Sequence, residues 1–213
     1  MDHSGSKHLL EELIANRMEN TALLHDQLAE NLIAAGKRLE NSLNSGGKLC
    51  FIASTGLHKI AAQAVDNLMS LKLSKQPAIP AILLNPHQST DSEYRAHYDT
   101  ALMQLEAIAN DNDCIVFLEE SASNDSFKQL NNFLTTKTIN CVSILHLDKS
   151  QLTPENDHEW QQPCWIPLFD DSTMLSIARK QELSLFILNC LTAMIEQAMF
   201  GAQLNQSLQA DSY

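Results

Sequence analysis

The residues Gly46-Gly47-Lys48-Leu49-Cys50-Phe51-Ile52-Ala53-Ser54-Thr55-Gly56-Leu57 decide the fold. Ser45-Gly46-Gly47 stops a helix, because glycine tolerates the backbone that ends one. Five apolar residues with β character follow, Leu49 to Ala53. A short hydroxyl-bearing loop then leads into a further helical pattern over 57–71. A strand that is apolar at every position has no solvent face, so it belongs in a sheet covered on both sides.

The same unit repeats downstream. Short apolar runs occur at Ala81-Ile82-Leu83-Leu84, Cys114 to Leu118, Cys141 to Leu145 and Trp165 to Phe169. Helical patterns at 93–110 and 124–136 separate the middle runs, and a long helix is predicted over 172–200. Upstream, Leu9, Leu10, Leu13, Ile14 and Met18 predict one helix over 7–24. Leu28, Leu32, Ile33, Ala35, Leu39 and Leu43 predict a second over 26–44. The polar stretch 149–164 reads as loop.

Strands alternating with helices predict an α/β fold: a parallel sheet of about five strands flanked by helices, flavodoxin-like, in three αβα layers. From Leu183 to Phe200 apolar residues fall on nearly every face of the last helix. Such a helix is buried deeply, which predicts burial against a second subunit as well as its own sheet. At 213 residues the chain is expected to form a single domain over 1–213, with 1–6 and 203–213 as disordered tails.

Composition excludes some partners. There are 14 Lys+Arg against 26 Asp+Glu, a net charge of −12. That balance disfavours direct contact with nucleic acid or an anionic membrane. The longest uncharged stretch in the apolar C-terminal region, Leu183 to Ile195, has 13 residues. A bilayer span needs roughly 20. The N-terminus shows no apolar signal region, so the expected location is the cytoplasm. The five cysteines form no C-x-x-C pair and read as small buried hydrophobes. His87, His97, His146 and His158 show no metal-ligand spacing, so neither metal nor cofactor is expected. No G-x-S-x-G elbow supports hydrolase chemistry.

Only six glycines are present, and Gly46-Gly47 is the one clustered pair. Phosphate cradles are usually glycine-rich, because backbone N–H groups must approach the anion closely.

The order of helices, the Gly46-Gly47-Lys48 turn, the segment Pro77-Ala78-Ile79-Pro80-Ala81-Ile82 and the late Gln181-Glu182 together resemble a sugar isomerase (SIS) domain of the phosphoheptose isomerase type. The resemblance runs from about residue 10 to 201. That group has an enzyme branch and a non-enzymatic branch, the DiaA type, which associates with the replication initiator DnaA.

The resemblance implies a pocket built from two loops. In the enzymes the first reads G-N-G-G-S; here the place holds Ala53, Ser54, Thr55, Gly56 and Leu57. The second reads S-T-S-G-N-S in the family; here Glu119, Glu120, Ser121, Ala122, Ser123 and Asn124 stand there. Two carboxylates thus replace a Ser and a Thr. Each like-charge pair at about 4 Å and an effective dielectric near 20 costs roughly 4 kcal/mol. Sugar-phosphate binding is therefore disfavoured.

The resemblance also places the family's catalytic Glu at Asn67 and its catalytic His at Asn189, eight residues after Gln181. An amide exchanges no proton near neutral pH, so no catalytic residue is assigned. The DiaA branch also lacks the pair, and carries an apolar Leu-Phe pair at the end of its last helix for the initiator. Met199-Phe200 is the matching pair here. The resemblance thus implies a non-catalytic homotetramer that binds DnaA through Met199 and Phe200. Two rivals are a phosphosugar-binding or isomerase-like protein with a remodelled site, and a structural subunit that pairs with an active paralogue.

Overall fold

The computed structural model describes residues 3–70, 77–84, 94–119, 132–134, 136–137, 139–148, 164–170 and 177–210. In chain order the elements are α1 (His3–Asn44), β1 (Leu49–Ala53), α2 (His58–Met69), β2 (Ala81–Leu83), α3 (Tyr94–Ile108), β3 (Cys114–Glu119), β4 (Asn140–Asp148), β5 (Cys164–Asp170) and α4 (Ile177–Ala210).

All five strands are parallel and lie in the order β2-β1-β3-β4-β5. The apolar runs form the strands because most of their residues are buried on one face or the other, the edge strand β2 being the exception with Ile82 exposed. β1 and β3 are buried at every position. Alternation splits them cleanly. Leu49, Phe51 and Ala53 join the core beneath α1, α2 and α4, whereas Cys50 and Ile52 join a second core with Ala101 and Leu105 of α3.

The expected pair of N-terminal helices is one helix of 42 residues, about 63 Å long at the usual rise. No glycine or proline lies between Ser6 and Ala35, so nothing interrupts it. Gly36 marks its contact with α4: a Cβ there would lie 2.6 Å from the Met194 methyl. α4 continues to Ala210 and α1 begins at His3, through the stretches expected as tails. Of the helix expected at 124–136, the described residues, 132–134 and 136, are helical. The loop expected at 149–164 lies almost wholly outside the described residues.

By length and composition α4 is apolar enough to cross a membrane, with an 18-residue window of mean hydropathy 1.5. Its Ile187, Leu188, Leu191, Ile195 and Phe200 lie in the core on the sheet. Phe186, at 41% exposure, and Ala193 face outward from the same helix.

A polar clamp closes the edge of the sheet where the strands begin. Asp113, 2% exposed, accepts from the Lys48 backbone N–H at 2.8 Å, the Lys48 ammonium at 2.5 Å and the Asn110 N–H at 2.8 Å. Lys48 Nζ also donates to the Ile108 carbonyl at 2.8 Å. Ser42 Oγ donates to the Asn112 carbonyl, and Asn112 Nδ2 donates to the Ser45 carbonyl. Gly46 takes a left-handed φ of 81°, and Gly47 sits against the Asn112 backbone. This glycine pair therefore serves the α1–β1 turn, at the edge remote from the loop that follows β1.

Cys50, Cys114 and Cys141 are buried and Cys190 is half-buried, all as free thiols. Burial, helped by the nearby Asp113 charge, pushes the Cys50 thiol up to about 11. Such a thiol stays protonated and inert at neutral pH.

Candidate functional site

In an open parallel sheet, ligands bind outside the carboxyl ends of the strands, where the strand order reverses. Here β1 stands between β2 and β3, so the crevice opens above the ends of β1 and β3. Residues 54–57 form one wall. The Ser54 N–H donates to the Leu118 carbonyl at 2.9 Å, and the Leu57 N–H donates to the Ser54 carbonyl at 3.0 Å. Ser54 is thereby held in the sheet, 4% exposed, while Thr55 is exposed and Gly56 half-buried.

α2 starts directly after this loop. Its N-cap position is Leu57, which supplies no capping side chain, and its first turn carries no acidic residue. The positive end of the helix dipole is therefore not offset by the helix's own residues. His58, its first residue, has a buried Nδ1 with no hydrogen-bond partner.

Two bonds fasten α4 to this end of the sheet. Gln181 Nε2 donates to the Gly56 carbonyl at 2.7 Å. Ser184 Oγ and His146 Nε2 share a hydrogen bond of 2.9 Å. Ser184 is 0% and His146 4% exposed, so the pair is sealed from solvent. Ser184→Ala would leave a buried imidazole nitrogen without that partner. A loss of about 1–3 kcal/mol is expected, read as a lower midpoint in urea; an unchanged midpoint would show that the bond holds nothing.

Gln181 and the first loop are thus brought together. Glu119 differs from the expectation. It is not the first residue of a loop but the last of β3, paired with Leu145 of β4 and only 2% exposed. Glu120, Ser121 and Ser123 lie outside the described residues. Asn67 is half-buried on α2, and Asn189 is exposed on α4. Within one chain Asn189 therefore points away from the core that Ser184 and Ile187 enter. Phe200 is 8% exposed and belongs to the core, with Met199 packed beside it, so Met199 offers more of the accessible surface of that pair.

The His146–Ser184 pair went unread in the sequence. A signal existed in hindsight: each is a polar residue set into an apolar run. Their separation of 38 residues hid the pairing. Among the described residues no cluster of His, Cys, Asp or Glu is placed to hold a metal ion.

No protein-family model matches the chain. In sequence it is 22% identical over 181 residues to the phosphoheptose isomerase of Halorhodospira halophila, which covers 83% of this chain and 87% of that protein. In structure it matches a phosphoheptose isomerase from Francisella tularensis with a TM-score of 0.71 at 18% identity, over 90% of this chain and 98% of the other. It also matches HobA from Helicobacter pylori, TM-score 0.53 at 14% identity, over 97% and 98%. The chain has the SIS fold seen in phosphoheptose isomerases, at a low level of sequence identity.

Proposed function

We propose that this chain is a non-catalytic protein of the SIS fold, resembling the DiaA type, that acts by binding another protein. The observation that carries the reading is the chemistry at two positions. Asn67 on α2 and Asn189 on α4 are amides where the resemblance requires a carboxylate and an imidazole. Moving a proton between neighbouring carbons needs a group that gives and takes protons near neutral pH. Neither amide does so.

The proposed partner is the replication initiator DnaA, and the proposed contact is the end of α4 around Met199. Phe200 supports that surface from beneath. The proposed state is a cytoplasmic homotetramer, supported by the outward apolar residues of α4, Phe186 among them. Several copies of one contact on a symmetric assembly gain avidity without new chemistry.

Capture on immobilised DnaA tests this reading. Wild-type chain is expected to be retained, and Met199→Ala to be retained about tenfold less at unchanged folding. Equal retention of the two, or none of either, overturns the partner assignment. Phe200→Ala is a poor probe, because it removes a core ring and reads folding.

The likeness to phosphoheptose isomerases favours one other reading, an enzyme with a remodelled site. Incubation with sedoheptulose 7-phosphate separates the two. No isomerised product is expected, and steady turnover above that of heat-killed protein would overturn the non-catalytic reading.

A further inference from the structure

α1 and α4 lie side by side over one face of the sheet, and their outer side is open. α1 ends just before β1 begins, and α4 starts after β5 ends, so both run against the strands and parallel to each other. Gly36 packs on Met194, which puts Ile33 level with Leu191, three residues back on each helix. Leu28, Ala35 and Leu39 of α1 and Leu188, Leu191 and Ile195 of α4 turn to the core. On the other side Ile33 is 62% and Phe186 41% exposed, and Ala34 and Ala193 are exposed as well. Along the helices Ile33 falls between Phe186 and Ala193 in height.

The outer stripe of α1 is self-complementary. Glu30, Ile33, Ala34 and Lys37 are all exposed, and residues at these spacings share one helix face. The charges stand symmetrically about the apolar pair: Glu30 is three residues before Ile33, and Lys37 is three residues after Ala34. A second copy of α1, turned end for end about a point between Ile33 and Ala34, meets this pattern on both sides at once. Each Glu30 then faces the other copy's Lys37. Each Ile33 lies against the other copy's Ala34, a large side chain beside a small one. A parallel pairing would instead set Glu30 on Glu30 and Lys37 on Lys37. Lys37 Nζ, on a side chain 62% exposed, bonds Glu40 of its own helix at 2.9 Å. An ammonium has three donors, so it can take a second carboxylate.

We propose that this face is a two-fold interface between copies of this chain, with α1 packed antiparallel on α1 about Ile33 and Ala34, and with Phe186 and Ala193 of α4 closing its flank. The inference deepens the homotetramer reading, on which it rests, by naming the surface and the charges that join two of the subunits. Symmetry doubles every contact, so each interface holds two Glu30–Lys37 pairs. In a tetramer with two kinds of two-fold contact, loss of this one leaves dimers.

The test is the mass of the full chain, followed over a dilution series by analytical ultracentrifugation. Ile33→Asp is expected to halve the mass of the assembly. Glu30→Lys and Lys37→Glu each set like charges across the two-fold axis twice, and each is expected to weaken association about tenfold. The double reversal, Glu30→Lys with Lys37→Glu, restores opposite charges and is expected to return association close to that of wild type. The three positions are exposed, so urea midpoints near the wild-type value are expected throughout. Should Ile33→Asp unfold, the charge reversals decide alone. Unchanged mass in a folded Ile33→Asp overturns the proposal, and so does a double reversal that associates no better than the single ones. The tetramer then stands on another surface. A wild-type chain that sediments as a monomer overturns the tetramer reading and this interface with it.

Discussion

Asp113→Ala is expected to lower the unfolding free energy by about 3–5 kcal/mol, the usual cost of removing one partner of a buried ion pair. Asp113 is 2% exposed, and three donors converge on it, the Lys48 backbone N–H, the Lys48 ammonium and the Asn110 N–H, while the ammonium also donates to the Ile108 carbonyl. Truncation leaves the ammonium with the Ile108 carbonyl alone and strands two backbone N–H groups. Domains of this kind have roughly 5–15 kcal/mol in total. The variant should therefore unfold at a much lower urea concentration than wild type. A loss under about 1 kcal/mol would mean that water replaces the carboxylate without difficulty.

The same group fixes part of the acid response. Burial alone raises the Asp113 pKa. The Lys48 side-chain bond, the Asn110 and Lys48 N–H bonds and the Lys48 charge outweigh it, so the net displacement is downward from 3.8. A carboxyl with a lowered folded pKa stabilises fully above its unfolded value. That contribution is lost as pH falls through the folded value. Wild type should lose stability on acidification below about pH 4. Asp113→Asn should be weaker at neutral pH and show a shallower acid slope.

Gly47→Ala is the second large effect. A Cβ at this position would lie 2.0 Å from the Asn112 carbonyl oxygen and 2.5 Å from its carbon. Both are backbone atoms, fixed by the turn that feeds β3, so the turn itself must move. A cost of roughly 3 kcal/mol or more is expected. Two neighbours give the contrast. Gly46→Ala meets nothing within 4 Å but has φ at +81°, so about 1–2 kcal/mol of backbone strain is expected. Gly36→Ala meets only the mobile end of Met194 and should cost less than roughly 1.5 kcal/mol. Urea midpoints in the order Gly36→Ala, Gly46→Ala, Gly47→Ala from most to least stable check the argument. A well-folded Gly47→Ala at wild-type stability would refute it.

The strands were legible because both faces of the sheet are covered. The run Leu49 to Ala53 matches β1 to the residue, and the others match within a few positions. Length was less legible than type. The N-terminal patterns over 7–24 and 26–44 merge into α1, since a change of apolar phase does not break a helix and no breaker residue separates them. In the site, the loop 54–57 was placed by resemblance, whereas the bond from Gln181 to it is seen only in the structure. Glu119 was not. A carboxylate after Leu118 looks like the start of a polar loop, and only the register with Leu145 shows the strand continuing through it. Gly46-Gly47 was read as the stop of a helix, and it forms the tight turn against Asn112.

The contact between Gly36 of α1 and Met194 of α4 has a consequence for how the chain reaches its native state. The core beneath these helices draws on Leu28, Ala35 and Leu39 near one end of the sequence and on Ile187, Leu191 and Ile195 near the other. Contacts of such long sequence separation form slowly, because the intervening loop must close first. On the ribosome, β1 to β5 all emerge before α4 does. Until it arrives, one face of the sheet carries α1 and α2 without the helix that lies between them and completes the core. A nascent chain is therefore most exposed to aggregation late in synthesis, when nearly all of its strands exist and their cover does not.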